Sequence, residues 1–320
     1  MPTRSSQQSK LNILRAGHLS KFPWLVHGFS TRPGGFSHVY GDRSLNLGFT
    51  KDDSKAAVER NRAAFLGELD AASSDGGKVS RRAAKGTHSR IRPLIALRQI
   101  HSDIIHFVES PPESQPAGDG LITAVPGLLL GIQTADCLPI ILVDPKQRAV
   151  GVFHAGWRGT VKRIIEKGVG EMHRHFGSRP SDLKAAIGPG IHGCCYEVGA
   201  DVREKFESQF SYAAKLFREV EERDPVRDKY PMLFLTARPP GHSILPKKMF
   251  LDLVEANRQQ LLAAGVPAKS IEASPLCTNC HPDLLFSYRA EKGKTGRMMG
   301  VVGIRKKQKS QGKAALKRKK

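Results

Sequence analysis

Three runs, Leu128-Leu-Leu-Gly-Ile-Gln133, Leu138-Pro-Ile-Ile-Leu-Val143 and Ala149-Val-Gly-Val-Phe-His154, decide the fold class. Each is short, almost continuously apolar and rich in branched side chains, the pattern of a strand buried on both faces. Upstream, Leu94–Ile100 and Asp103–Val108 read as further strands. Downstream, the third run passes into Gly156-Trp-Arg-Gly-Thr160, where two glycines allow a tight strand-to-helix turn. From Thr160 to Phe176, Val161, Ile164, Ile165, Gly168, Val169 and Met172 fall on one face, which predicts an amphipathic helix closed by Gly177. A second helix is expected over Leu251–Ala264, ended by Gly265 and Pro267. Strands and helices interleave without an internal repeat, which leaves one α/β or α+β domain.

At 39% hydrophobic and 25% charged, the 320 residues read as an ordinary soluble globular chain. No apolar run approaches the roughly 18 to 20 residues of a spanning helix, so no membrane role is expected. The net charge of +21 is unevenly placed: residues 78–92 carry six basic side chains and 305–320 carry nine, with no acid in either segment. These read as a flexible insertion over about 71–92 and a disordered Lys/Arg-rich tail over 305–320, with a short basic tail over 1–21. The stretch from Arg218 to Pro246, charged and proline-rich, reads as a variable surface excursion. A basic nucleic-acid-associated protein is the non-enzyme alternative, but no aromatic interleaves with the tail lysines to stack on bases. Five cysteines without a signal peptide point to a reducing, cytoplasmic setting.

Three segments place a metal ligand at the mouth of a buried strand: Gln99-Ile-His-Ser102, Thr134-Ala-Asp-Cys-Leu-Pro139 and Phe153-His-Ala-Gly-Trp157. One thiolate and two imidazoles from His101, Cys137 and His154 suit Zn²⁺, and three protein ligands leave the fourth position for water or substrate. Their wide separations match no short zinc signature. Gln99 and Asp136 are polar groups inside apolar runs, which a role in holding the ligands would explain. Cys277-Thr-Asn-Cys280 looks like half of a zinc knuckle, but there is no second Cys-x-x-Cys, and Cys194-Cys195 has the wrong spacing, so no structural zinc is expected there.

The chain resembles the YfiH-like, laccase-domain proteins, long labelled polyphenol oxidases and since described as purine nucleoside phosphorylases. The resemblance runs from about Phe22 to Ile304. It rests on His27-Gly-Phe-Ser-Thr-Arg32, Ser44-Leu-Asn-Leu-Gly48, Gln99-Ile-His-Ser102, Gly118-Asp-Gly-Leu-Ile-Thr123, Thr134-Ala-Asp-Cys-Leu-Pro139, His154-Ala-Gly-Trp-Arg-Gly-Thr160, Cys195-Tyr-Glu-Val-Gly199 and Phe286-Ser-Tyr-Arg289. It implies an α+β fold, packed mixed β-sheets flanked by helices in an αββα sandwich, as a single catalytic domain over 22–304. It also implies zinc on His101, Cys137 and His154, with phosphorolysis of adenosine, inosine and S-methyl-5'-thioadenosine and adenosine deamination as a second activity.

Phosphorolysis needs an anion pocket beside the ribose, for which Arg32 and Arg158 are the candidates because arginine grips phosphate through two parallel bonds. Asn46 and Gln99 are candidates to orient the nucleoside, and Asp136 is the nearest proton shuttle in sequence. The alternatives are another metal-dependent hydrolase and a copper-linked polyphenol oxidoreductase, with copper in place of zinc at the same residues. A multicopper centre needs many paired histidines, whereas this chain has one His-x-His, His173-Arg-His175.

Overall fold

Two mixed sheets lie face to face, and the alternation of their apolar side chains explains why the strands look uniformly hydrophobic. The computed structural model describes residues 11–71, 93–221, 224–234 and 247–306. Nearly all of the expected insertion over 71–92 and of the tail over 305–320 lies outside the described residues. Numbered in chain order, the first sheet runs β1 (Ile13–Leu14), β2 (Leu25–Ser30), β15 (Met298–Ile304), β7 (Leu129–Thr134) and β4 (Leu94–Ala96). The second runs β14 (Ile271–Ala273), β10 (Lys184–Ile187), β8 (Leu138–Asp144), β9 (Ala149–Ala155), β6 (Gly120–Thr123) and β5 (Ile105–Phe107). A small third sheet joins β11 (Glu197–Val198), β13 (Lys248–Leu251) and β12 (Phe217–Val220), and β3 (Pro33–Ser37) stands apart. Pairings β4/β7, β5/β6 and β10/β14 are parallel; the other strand pairings are antiparallel.

Along β8, Ile141 and Val143 point into the layer between the two sheets, with Val150 and Val152 of β9 and Leu130, Ile132, Val302 and Ile304 of the first sheet. Ile140 and Leu142 point the other way, with Phe153, Ile165, Val169 and Met172. The outer face of the first sheet is covered by α1 (Lys55–Ala71), where Phe65 and Leu69 meet Val26, Met299 and Val301. Both faces of each central strand are therefore dry, which a period of two alone would not have revealed. Phe153 is fully buried, and a Cβ on Gly168 would stand 2.6 Å from its ring. Truncating such a buried aromatic costs about 3–5 kcal/mol. The result is one α+β domain with the sheets packed between helices.

Several expectations change. The helix expected over Thr160–Phe176 is two, α2 (Trp157–Val161) and α3 (Ile164–Phe176), broken at Arg163 with φ 62°. The reason lies in Thr160. Its carbonyl accepts from Gln260 Nε2 (2.7 Å) and from the Arg163 amide (2.9 Å), and its hydroxyl meets Asn257, so the chain turns before the helix resumes. The helix expected over Leu251–Ala264 is α6 (Leu253–Ala263), because Leu251 ends β13 and Asp252 caps the helix through the Glu255 amide (2.9 Å). Before Phe22, β1 pairs with β2 and Leu19 is fully buried, so residues 13–19 belong to the packed body rather than to a tail. Of the excursion from Arg218, the first residues complete β12; α4 (Ala200–Glu207) precedes it and the short α5 (Pro225–Lys229) follows. No helix among the described residues is long and apolar enough to cross a membrane.

Candidate metal centre

β8 and β9 pair antiparallel with Pro139 opposite His154, so Cys137, one residue before β8, and His154, near the end of β9, reach the same rim of the second sheet. His101 comes from the loop after β4, which ends at Ala96 rather than running to Ile100 as expected. That loop is bent at His101 itself, with φ 56°, and is held by one carboxylate. Asp119 accepts from the amides of Ile100 (3.3 Å), His101 (3.1 Å) and Ser102 (2.5 Å) and from the Ser102 hydroxyl (2.7 Å). The same carboxylate lies 2.8 Å from His154 Nδ1, with both groups buried. Asp119 thus fixes two ligands at once and leaves His154 Nε2 facing the third.

The ligand atoms of His101, Cys137 and His154 lie within 4.8 Å of one another, with His101 Nε2 3.9 Å from Cys137 Sγ. Tetrahedral bonds of about 2.3 Å to sulfur and about 2.1 Å to nitrogen place such a pair about 3.6 Å apart, so the donors fit one Zn²⁺ with little adjustment. Close approach depends on Gly156, where a Cβ would stand 2.8 Å from Cys137 Sγ and 3.2 Å from the His101 ring. Burial opposes ionisation of Cys137, but the adjoining His154 and His101 outweigh it and bring the thiol down to about 6. Burial likewise opposes charge on His154, and Cys137 with Asp119 outweigh it, raising the imidazole to about 9. Burial also disfavours the Asp119 carboxylate, yet His154 and Ser102 hold it well below the usual range. Both directions favour a thiolate beside a protonated imidazole in the metal-free cluster, so a cation bound here would displace the His154 proton.

The ligands open onto a cavity of about 720 Å³. Its wall carries four arginines, Arg98, Arg158, Arg289 and Arg297, and one carboxylate, Asp136. That carboxylate is committed: one oxygen accepts from the Thr278 hydroxyl (2.6 Å) and the other from the Arg289 amide (2.7 Å). With φ 89°, Asp136 holds the bend before Cys137 and is poorly placed to serve as a free base. Phe49 and Tyr288, each about half exposed, and the more buried Trp157 and Tyr196 supply aromatic faces.

The substrate candidates divide. Gln99 and Arg158 line the cavity, although both amide atoms of Gln99 bracket the Gln133 backbone (2.8 and 2.7 Å). Arg158 lies 4.4 Å over the Trp157 ring. Arg32 is elsewhere, donating to the carbonyls of Pro282 (2.9 Å) and Tyr40 (2.6 Å) and pairing with Glu291 (3.0 Å). Asn46 is fully buried and accepts from the amides of Gly48 (3.0 Å) and Arg297 (2.9 Å) while donating to Asp53 (2.7 Å). It positions the Arg297 backbone instead of meeting a ligand. Sequence reasoning missed Asp119, Arg289 and Arg297, although Gly118-Asp-Gly120 and Tyr288-Arg289 sit within recognisable motifs; a carboxylate between two glycines was the available signal. His173 and His175 are spent on the Ser178 carbonyl (3.0 Å) and on Glu171 (3.2 Å), away from the cluster.

The fold is α+β, and at the rim of the second sheet it gathers a His₂Cys cluster whose donors could hold a metal ion. The chain belongs to the family described as multi-copper polyphenol oxidoreductase laccase, whose model matches residues 26–305. It is 35% identical over 304 residues to the purine nucleoside phosphorylase of Deinococcus radiodurans, covering 95% of this chain and 97% of that one. The crystal structure of YlmD from Geobacillus stearothermophilus superposes with a TM-score of 0.70 at 32% identity, over 94% of this chain and 98% of that one. A protein named adenosine deaminase RL5, from an unknown prokaryotic organism, is 38% identical over 213 residues, covering 64% of this chain and 72% of its own.

Proposed function

We propose that this chain is a zinc-dependent purine nucleoside phosphorylase acting on adenosine, inosine and S-methyl-5'-thioadenosine, with adenosine deamination as a second activity. The observation that carries the reading is the cavity: a His₂Cys cluster able to hold a metal ion, four arginines beside it and, among the described residues, no uncommitted carboxylate on its wall. Such a lining favours an anion beside a neutral ring system. The name of the Deinococcus radiodurans relative carries the same pairing of phosphate with a purine nucleoside, and that of adenosine deaminase RL5 the second activity.

Zinc held by His101, Cys137 and His154 would supply Lewis acidity and an acidified water. Among the chain's own residues, Arg158, Arg289 and Arg297 are assigned to hold phosphate against C1' of the ribose, where oxocarbenium-like charge develops as the N-glycosidic bond breaks. Phosphate forms the new bond to C1', and the purine leaves with the bonding pair and takes up a proton. Phe49 and Tyr288 are assigned to the purine faces. Burial keeps the Tyr196 phenol protonated far above neutral pH, so it can donate a hydrogen bond but not act as a base. Asp119 holds His101 and His154 in place.

Purified protein should release hypoxanthine from inosine together with an equal amount of ribose 1-phosphate, only when phosphate is present. Ammonia release from adenosine without phosphate measures the second activity. Phosphate-independent cleavage of inosine would instead favour a hydrolase on the same site.

A further inference from the structure

Four of the five cysteines converge at a place where sequence spacing argued against a site. The sulfurs of Cys194, Cys195, Cys277 and Cys280 all lie within 4.8 Å of one another. Cys280 Sγ is 3.6 Å from that of Cys194 and 3.3 Å from that of Cys195. Two loops bring them together, joined by a bridge between Gly190 and Cys277 and by the Thr278 amide on the Gly190 carbonyl (2.9 Å). The buried sulfur of Cys277 accepts from the His192 amide (3.4 Å) and also from the amides of Asn279 and Cys280. A loop folded around its own first sulfur in this way presents both sulfurs of a Cys-x-x-Cys pair in one direction.

We propose that Cys194, Cys195, Cys277 and Cys280 bind a second zinc ion, one that holds structure rather than performing chemistry. Four bonds of about 2.3 Å at tetrahedral angles put sulfurs about 3.8 Å apart, close to the spacings here. Zn²⁺ has no geometric preference of its own beyond what its donors impose, so it accepts the adjacent Cys194 and Cys195. An all-sulfur shell of four is closed and leaves no position for substrate. The loop that carries Cys194 and Cys195 is held at both ends: Arg218 donates to the Gly193 carbonyl (3.3 Å) and Arg289 to that of Glu197 (2.9 Å).

The consequence reaches the first centre through Asp136. Its carbonyl accepts from the Ile191 amide (2.7 Å) in one clipped loop, and its carboxylate from Thr278 (2.6 Å) in the other. The second zinc therefore fastens both supports of the bend before Cys137, as well as Tyr196, next to Cys195, on the cavity wall.

The test is the metal content of protein purified under reducing conditions without chelator, a readout independent of any activity. Wild type is expected to hold two zinc ions per chain. The double variant His101→Ala, His154→Ala should retain one, and Cys280→Ser should lose one. Reloaded with Co²⁺ alone, the double-histidine variant should show the thiolate-to-cobalt charge-transfer bands of an all-sulfur tetrahedral site. That arm decides the question even if Cys280→Ser does not fold. Unfolded in chelator, the wild-type chain should expose five reactive thiols. One zinc in wild type that vanishes in the double-histidine variant would overturn the proposal. So would three reactive thiols with the remaining pair as a disulfide, or iron in place of zinc at the four sulfurs.

Discussion

The His101/Cys137/His154 cluster and the four-cysteine cluster stand on either side of Asp136, and they are built in opposite ways. The first gathers three donors from a loop and two strand ends, orders two of them through a buried carboxylate, and faces an arginine-lined cavity. The second gathers four sulfurs from two loops, orders one of them through backbone amides, and includes two exposed cysteines. Three donors leave a direction for chemistry, whereas four leave none. Sulfur alone therefore says little about a site's purpose; the number of donors and what they face say more.

The comparison breaks most sharply at Cys137. Cys137→Ala should lose the zinc of the first centre and reduce inosine phosphorolysis to background, while the chain keeps one zinc and its far-UV circular dichroism. Next comes Asp119→Asn, which preserves shape but removes the charge holding His154. Zinc affinity of the first centre should fall about 10–100-fold, the usual cost of losing such a support, as competition with a chelator would measure. Cys280→Ser should act mainly on the fold, lowering stability by about 3 kcal/mol in chemical denaturation, towards the upper end of common substitution effects. Activity per folded molecule should fall far less than in Cys137→Ala. Gly156→Ala forces a methyl against Cys137 and should cost about 1–3 kcal/mol by overpacking. Thermal melting with and without added zinc would show whether the metal still seats.

The smallest effect is that of pH on the metal-free protein. His154 sits above its ordinary 6.5, so its contribution to stability is complete below that value and is lost as pH rises through about 9. Cys137 sits below its ordinary 9.0, so its contribution is complete above that value and is lost as pH falls through about 6. Between about 6.5 and 9 the loss at His154 and the gain at Cys137 offset each other, so stability from this pair should change little with pH across that interval. Zinc must displace the His154 proton, so its apparent affinity should rise with pH across the same interval. Calorimetry in buffers of different ionisation enthalpy would count the protons released.

Much of the strand content was legible because β7, β8 and β9 are almost continuously apolar, and the three expected ligands do converge. What was not legible depends on contacts distant in sequence. The break between α2 and α3 is made by Asn257 and Gln260, about a hundred residues after Thr160. By side-chain chemistry Arg32 fits phosphate and Asn46 could orient a nucleoside, yet each is consumed by backbone groups of a neighbouring loop. The second cysteine cluster was discounted because spacing rules describe two similar knuckles, and here one half is an adjacent pair presented by a different turn.

Whether the arginine-lined cavity performs phosphorolysis is decided by the phosphate dependence of hypoxanthine release from inosine, measured side by side for wild type and Cys137→Ala. The expected result is release by wild type only in the presence of phosphate and none by the variant. Release without phosphate, or equal release by the variant, would contradict it.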